Sequence, residues 1–401
     1  MKQILLSAFG CNPYKGSESA SGWNWAIELA SQGYSVHVLT RSDSKPDITK
    51  HPPVDNLHFH FIGLNNGLEK LYTFSIPTMY LYYILWQWKA YRIGKSLHNK
   101  YLFHRVHHVS WGSFQQGSFL YKIKTPFIFG PTGGGQKAPE SFKEYFLQGW
   151  ENEIKREKIS ALFLRFNPAC RNMLKKSSAV LVSNTETMEV VRAAGAPKIF
   201  YSLDSALSSD FFPKQLPLRN PSLNRMRLLW VGRFMPRKGL PLVIEAMSRL
   251  KENKGITLTI VGDGELNDHA RRMVSELGLN ESVKFTGLLP FSEVRNYYNT
   301  HDVFFFTSLR DSGPAQLIEA MAFGLPVVCL NLHGQGYIVS DKTGIRVPVT
   351  TPSIVVKELA DAINYLASNP QIYERMSRAA YEFARQQEWS NKVATTIRQL
   401  Y

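Results

Sequence analysis

The chain has 401 residues, 44% hydrophobic and 20% charged, which excludes a disordered or fibrous protein and exceeds what one hydrophobic core usually supports. Its formal net charge of +15 is concentrated in residues 1–200, where 24 Lys and Arg face 13 Asp and Glu; this suits an anionic partner such as nucleic acid, an anionic membrane face or a phosphorylated substrate. The three cysteines, Cys11, Cys170 and Cys329, lack ligand-like spacing, which excludes a disulfide framework or a cysteine-built metal site and fits a reducing cytosol.

In chain order, "KQILLSAF" is an apolar run of strand length and reads as a buried strand rather than a signal peptide. "SASGWNWAIELASQG" predicts a helix opened by serine and closed by Gly33, and "YSVHVLTR" and "LHFHFIGL" predict the next two strands. The eighteen residues from Leu71 to Trp88 carry no charge, but Thr73, Ser75, Pro77 and Gln87 interrupt them. A spanning helix needs about 20 predominantly apolar residues, so a buried helix is predicted here, with peripheral membrane contact as the second reading. "FHRVHHVSW", "TPFIFGP", "AVLVSN" and "KIFYSL" continue the strands, and this βαβ rhythm implies a mostly parallel sheet with helices on both faces.

Between residues 205 and 225, Pro213, Pro217 and Pro221 among polar residues mark a linker. The rhythm then restarts with "RLLWVGRF", "LPLVIEAMSRLKEN", "ITLTIVGDG", "ELNDHARRMVSELGL", "VKFTG", "DVFFFTS" and "PVVCLN". Two α/β domains are therefore expected, 1–210 and 222–387, followed by a last helix at 388–401, which Ser390 would open.

Three stretches carry candidate chemistry. In "RDSGPAQLIEAMAFGLPVV", Ser312-Gly313-Pro314 resembles a helix start, with Ser312 as the candidate cap. Pro314 has no N–H, so Ala315 and Gln316 would donate to an anion held at the positive end of the helix. Asp311 lies at the mouth of that site and Glu319 eight residues further on, a carboxylate in an apolar run that is costly to bury unpaired. In "VGRFMPRKGL" a strand ends at Gly232 and presents Arg233 and Lys238, two cations suited to a diphosphate outside the carboxyl end of a sheet. "VGDGEL" supplies a second strand-end turn at Gly262 but completes neither a dinucleotide nor a P-loop fingerprint.

From Arg227 to about Val347, "LLWVGRFMPRKGLPLVIEAM", "LTIVGDGEL", "VKFTGLLP" and "SLRDSGPAQLIEAMAFGLPVV" resemble, in order, the nucleotide-binding half of the family 4 (group 1) glycosyltransferases. "PYKGSESASGWNWAIELASQGYSVHVLTR" resembles the first half of that family more weakly. The resemblance implies the GT-B fold: two Rossmann-like, doubly wound domains facing across a cleft, the first for the acceptor and the second for the nucleotide sugar, with the C-terminal helix returning to the first. It implies a retaining, metal-independent transfer from a UDP- or GDP-sugar to a glycan or lipid-linked acceptor, of the kind used in bacterial surface polysaccharide or glycolipid synthesis. The expected setting is the cytoplasm, at the inner face of the cell membrane.

The same resemblance assigns Arg233 and Lys238 to the donor diphosphate, Glu319 to the ribose hydroxyls and Asp311, where the family usually has Glu, to the donor sugar. Leu288, after Gly287, falls where backbone contacts to the base are expected, and Gly16 resembles the glycine that lets the first domain approach the diphosphate. Ser312, Gly313, Ala315 and Gln316 complete the donor set with Gly232 and Gly262. Many relatives place a cleft histidine where this chain reads "GPTGGGQKAP"; Gly133, Gly134 and Gly135 offer backbone amides there and no side chain for proton transfer. Gly133, Gly134 and His108 are acceptor-side candidates, with His107 beside them, although packed strand histidines are the competing reading. No metal or other cofactor is implied. The alternatives are a sugar-nucleotide epimerase of the same fold and, from another class, a nucleic-acid binder prompted by the charge, which no recognisable module supports.

Overall fold

Runs of buried β-branched and aromatic residues form two wholly parallel sheets, as strands covered on both faces should. The computed structural model describes residues 1–401 except Ser17 and Asn66. The first sheet contains β1 (Gln3–Ala8), β2 (Ser35–Arg41), β3 (Leu57–Ile62), β4 (Arg105–Ser110), β5 (Phe127–Thr132), β6 (Ala179–Val182) and β7 (Ile199–Tyr201), in the order β3-β2-β1-β4-β5-β6-β7. The second contains β8 (Met226–Val231), β9 (Ile256–Val261), β10 (Val283–Gly287), β11 (Val303–Phe306), β12 (Val327–Leu330) and β13 (Gly344–Val347), in the order β10-β9-β8-β11-β12-β13.

The chain divides into two units. The first comprises Met1–Gly135, Glu157–Ala206 and Trp389–Tyr401; the second comprises Gln136–Arg156 and Leu207–Glu388. This differs from the division at 210 and 222 in one main respect: residues 136–156 join the second unit. The reason is packing, because Ala138, Phe142 and Phe146 are buried in the same core as Trp230, Phe234 and Leu240.

In the first unit the two faces of β1 have different covers. Ile4 and Leu6 share a core with Trp25 and Leu29 of the helix Glu18–Ser31 and with Trp389, whereas Leu5 packs with Tyr82, Tyr83 and Trp86 of the helix Ile76–Tyr101. The last helix begins at Trp389, one residue before the predicted opener Ser390, and packs on the first unit. Its end is held by His104 Nε2 at 2.8 Å from the Tyr401 carbonyl and by Arg105 Nε donating to the Leu400 carbonyl at 3.0 Å. Among the described residues, no helix is long and apolar enough to cross a membrane. The uncharged stretch 71–88 instead enters the helix Ile76–Tyr101, whose Ser75 cap accepts from the Thr78 amide.

Candidate functional site

In the second sheet β8 and β11 are parallel neighbours, yet the chain leaves them in opposite directions, toward β9 and β12. This is a topological switch point, and open α/β sheets leave a crevice for ligands outside the strand ends there. The loops emerging at that crevice are 232–239 after β8 and 307–314 after β11, the two stretches that carry most of the predicted charges.

The two loops are sewn together. The Arg237 carbonyl accepts from the Leu309 amide at 2.8 Å and from Ser308 Oγ at 3.0 Å. Gly239 adopts φ +64°, and a Cβ there would lie 2.2 Å from the Thr307 carbonyl oxygen, so only glycine permits this approach.

The approach brings three cations and one carboxylate together. Lys238 is buried and its Nζ donates to Asp311 Oδ2; Arg237 Nη1 lies 3.6 Å from the same oxygen. Asp311 also accepts from the Ser312 amide at 3.2 Å through Oδ1. Burial pushes the Asp311 carboxyl up, but Lys238 and Arg237 outweigh it and hold the group below its ordinary range. Burial likewise lowers Lys238 and Arg237, with Asp311 opposing in both cases. Arg233 stands on the exposed rim of the same loop. Asp311 thus contacts Lys238, one of the two cations predicted to hold the diphosphate, together with Arg237, a partnership that the pattern of residues did not suggest.

A second buried ion pair flanks the first. Arg310 reaches Glu153 through Nε at 2.5 Å and through Nη2 at 2.9 Å, and Arg156 Nε lies 3.3 Å from Glu153. Leu147, Asn152, Glu153, Met235, Arg237 and Arg310 line a cleft of about 870 Å³ beside it. Arg237 and Arg310 stand within the quoted motifs and could have been singled out as charges beside Lys238 and Asp311. Glu153 carried no such signal, because its segment is far away in sequence.

The helix after β11 spans Ala315–Ala322. Its N-cap is Pro314, at φ −66° and ψ 113°, with no side-chain cap, which corrects the expectation for Ser312. Proline disfavours helical geometry in the residue before it, so Gly313 stays outside the helix and Ser312 falls too early to cap it. Ala315 and Gln316 are its first two residues, whose amides no helical carbonyl can reach.

Glu319 lies one turn further on, partly buried, and its Oε2 accepts from the hydroxyl of Tyr298 at 2.9 Å. Tyr298 is fully buried and belongs to the helix Phe291–Thr300. Burial raises the Glu319 carboxyl to about 7, against the Tyr298 hydrogen bond, which lowers it. The acid in the apolar run is therefore neither fully solvated nor unpaired.

Gly262 has φ +137°, and a Cβ there would fall 1.9 Å from the Gly232 carbonyl oxygen; both glycines serve the packing of the β8 and β9 loops on each other. Leu288 is 78% exposed after Gly287.

The remaining candidates lie in the first unit. Gly16 is exposed, with nothing near its Cβ direction. Gly133 donates its amide to the Gly112 carbonyl at 3.1 Å, Gly134 follows, and Gly135 donates to Thr187 Oγ1 at 3.1 Å. His108 is 1% exposed; its Nδ1 lies 3.0 Å from Ser7 Oγ, its Nε2 lies 3.3 Å from the Trp111 carbonyl, and its ring stacks on Phe129. His107 is held equally, between Tyr401 Oη at 2.6 Å and the Gly130 carbonyl at 2.8 Å. Burial lowers His108 to about 4. Both are packed strand histidines, which corrects the acceptor-side assignment of His108.

Residues 218–383, the region holding this switch point, match the family model described as glycosyl transferases group 1. The chain carries a group 1 glycosyltransferase domain. Among curated relatives, the amylovoran biosynthesis glycosyltransferase of Erwinia amylovora is 36% identical over 120 residues, 28% of this chain and 30% of that protein. Across the first curated relatives the matched stretch spans from 30% to 56% of their lengths. Among solved structures, sucrose-phosphate synthase from Thermosynechococcus elongatus superposes with a TM-score of 0.66 at 19% identity, covering 100% of this chain and 99% of that one. An Anabaena protein solved in complex with UDP gives 0.65 at 17% identity, with both chains covered completely. The architecture of the chain is accordingly GT-B, built from two Rossmann-like units.

Proposed function

We propose that the chain is a retaining, metal-independent glycosyltransferase that moves a sugar from a nucleoside diphosphate to a glycan or lipid-linked acceptor. The observation that carries this reading is the convergence of Arg233, Arg237 and Lys238 with an uncapped helix N-terminus at the switch point of the second sheet. Clustered cations and free amides suit a diphosphate, and a fixed positive field is worth most where negative charge develops on the leaving group.

In this reading the acceptor hydroxyl attacks C1 of the donor sugar from the side of the leaving group. The new C1–O bond forms as the bond from C1 to the diphosphate oxygen breaks, and that oxygen takes the hydroxyl proton. Lys238 and Arg233 stabilise the departing nucleoside diphosphate, and the amides of Ala315 and Gln316 complete its seat. Glu319 accepts hydrogen bonds from the ribose hydroxyls, and Leu288 lies beside the base. Asp311 holds the cations and reaches toward the sugar; it and Glu319 bind rather than transfer protons, unlike the paired carboxylates of glycosidases.

The Anabaena neighbour solved with UDP favours a uridine nucleotide, and the Erwinia relative favours a surface polysaccharide as the product. The test is a thermal-shift screen of the purified chain against UDP, GDP, ADP and TDP with their common sugars. Stabilisation by one nucleotide series, lost in Lys238→Ala and Glu319→Ala, is expected. No response to any of them refutes the site.

A further inference from the structure

We propose that Glu153 is a positioning residue for the diphosphate seat, acting through Arg310 on Arg237 and so on Lys238. This rests on reading the crevice of the second unit as the donor site. Glu153 stands near the start of the helix Trp150–Phe166, in the segment 136–156 that the first half of the chain contributes to the second unit. Polar contacts fasten that segment as well as its aromatic core residues. Arg156 Nη2 donates to the Gln136 carbonyl at 2.9 Å and clasps its two ends together. Tyr145 Oη donates to Glu245 Oε2 at 2.7 Å, and His333 Nε2 lies 2.8 Å from the Lys137 carbonyl. Glu153 is therefore presented to Arg310 from a fixed support.

Both carboxylate oxygens of Glu153 are engaged by cations of the protein. Oε1 accepts from Arg310 Nη2 at 2.9 Å; Oε2 lies 2.5 Å from Arg310 Nε and accepts from Arg156 Nε at 3.3 Å. Such a two-point grip fixes the plane of a guanidinium as well as its distance. The peptide units on either side of Arg310 are in turn engaged by Arg237. The Arg310 amide donates to the Arg237 carbonyl at 3.3 Å, and the Arg310 carbonyl accepts from Arg237 Nη1 at 3.1 Å. Arg237 and Lys238 then share Asp311 Oδ2. A continuous chain of contacts thus runs from Glu153 to the buried ammonium group of the seat. The charge of Glu153 also opposes the effect of burial on Arg237.

Stability alone does not account for this pair, because a buried ion pair is often no more stabilising than apolar residues of similar volume. Its place does: without Glu153, Arg310 would lose its anchor and repel Arg237 beside it.

The test is titration of the purified full chain with UDP and GDP, and with uridine and guanosine, in the parent and in variants. Glu153→Gln should weaken the nucleoside diphosphate that the parent binds about tenfold. The matching nucleoside, which lacks the diphosphate, should bind as it does to the parent. Coulomb attraction alone predicts the opposite sign, since removing an anion beside a diphosphate should tighten binding. In an Arg310→Met background, Glu153→Gln should have no further effect on affinity, because its route to the seat is already cut. Glu153→Met/Arg310→Met leaves neither charge of the pair unmatched by the other. It should unfold near the parent temperature yet bind the diphosphate as weakly as Glu153→Gln, which separates lost positioning from lost folding.

The proposal falls if Glu153→Gln binds the diphosphate as tightly as the parent or more tightly. It falls equally if nucleoside and nucleoside diphosphate weaken by the same factor, or if Glu153→Gln weakens binding further without Arg310. A parent that binds neither UDP nor GDP overturns the donor-site reading and this inference together, whereas a parent that binds with unaffected variants overturns this inference alone.

Discussion

Substituting Asp311 by Asn should destabilise the second unit and then make it unusually responsive to a diphosphate. Asp311 is the shared anion of Lys238 and Arg237, and Lys238 is only 6% exposed. Without that carboxylate, an ammonium group already lowered by burial loses the partner that opposes the shift. Removing one member of a buried pair costs roughly 3–5 kcal/mol, because the other charge stays behind. Asparagine keeps an acceptor, so about 3 kcal/mol is expected. For a unit of about 200 residues this amounts to roughly 6–12 °C in Tm. The assay is thermal unfolding of Asp311→Asn, Lys238→Met and the double variant, each with and without UDP. The double variant should recover most of the loss, since no orphan charge remains, and UDP should stabilise Asp311→Asn more than the parent. A drop of under about 2 °C in Asp311→Asn, or a double variant that loses the sum of the singles, refutes the reasoning.

Other outcomes follow from the same geometry. Glu319 ionises near 7 in the fold, above its ordinary 4.5, so the folded chain keeps a proton between those values that the unfolded chain has lost. Stability should therefore fall as pH rises from about 5 to about 7 and level off above, while nucleotide affinity rises over the same range as the carboxylate becomes available to the ribose; Glu319→Gln should flatten both in denaturation and titration experiments. Tyr298→Phe removes the hydrogen bond that lowers Glu319, and should move the affinity midpoint upward and cost about 1 kcal/mol in denaturant melts. Arg233→Ala should reduce transfer about a hundredfold or more in a donor-consumption assay, yet change stability by less than about 0.5 kcal/mol, because the side chain is exposed. Gly262→Ala should cost about 2 kcal/mol or more, since its Cβ would strike the Gly232 carbonyl at an unfavourable φ.

The sequence by itself determined the elements and their class. Apolar runs such as "DVFFFTS" and "PVVCLN" could only be strands buried on both faces, and each became one, as β11 and β12. The short "TGIRV" around β13 lacks such a run and was not legible, because half of that strand is only partly buried. Arg233, Lys238, Asp311 and Glu319 were legible as charges at strand ends and helix starts, where local spacing alone selects them. Only the tertiary structure decided what those charges touch. Lys238 and Asp311 lie 73 positions apart and meet because β8 and β11 are neighbours in the sheet. Glu153 reaches Arg310 across 157 positions because the aromatic segment 138–146 finds its core in the second unit rather than the first. The histidine pair in β4 carried a proton-transfer signal in the sequence, and packing cancelled it by engaging both rings inside the first unit. Periodicity and turn chemistry act over a few residues, so they are readable along the chain. Electrostatic partnership depends on distances of a few ångströms, and only the folded topology sets those.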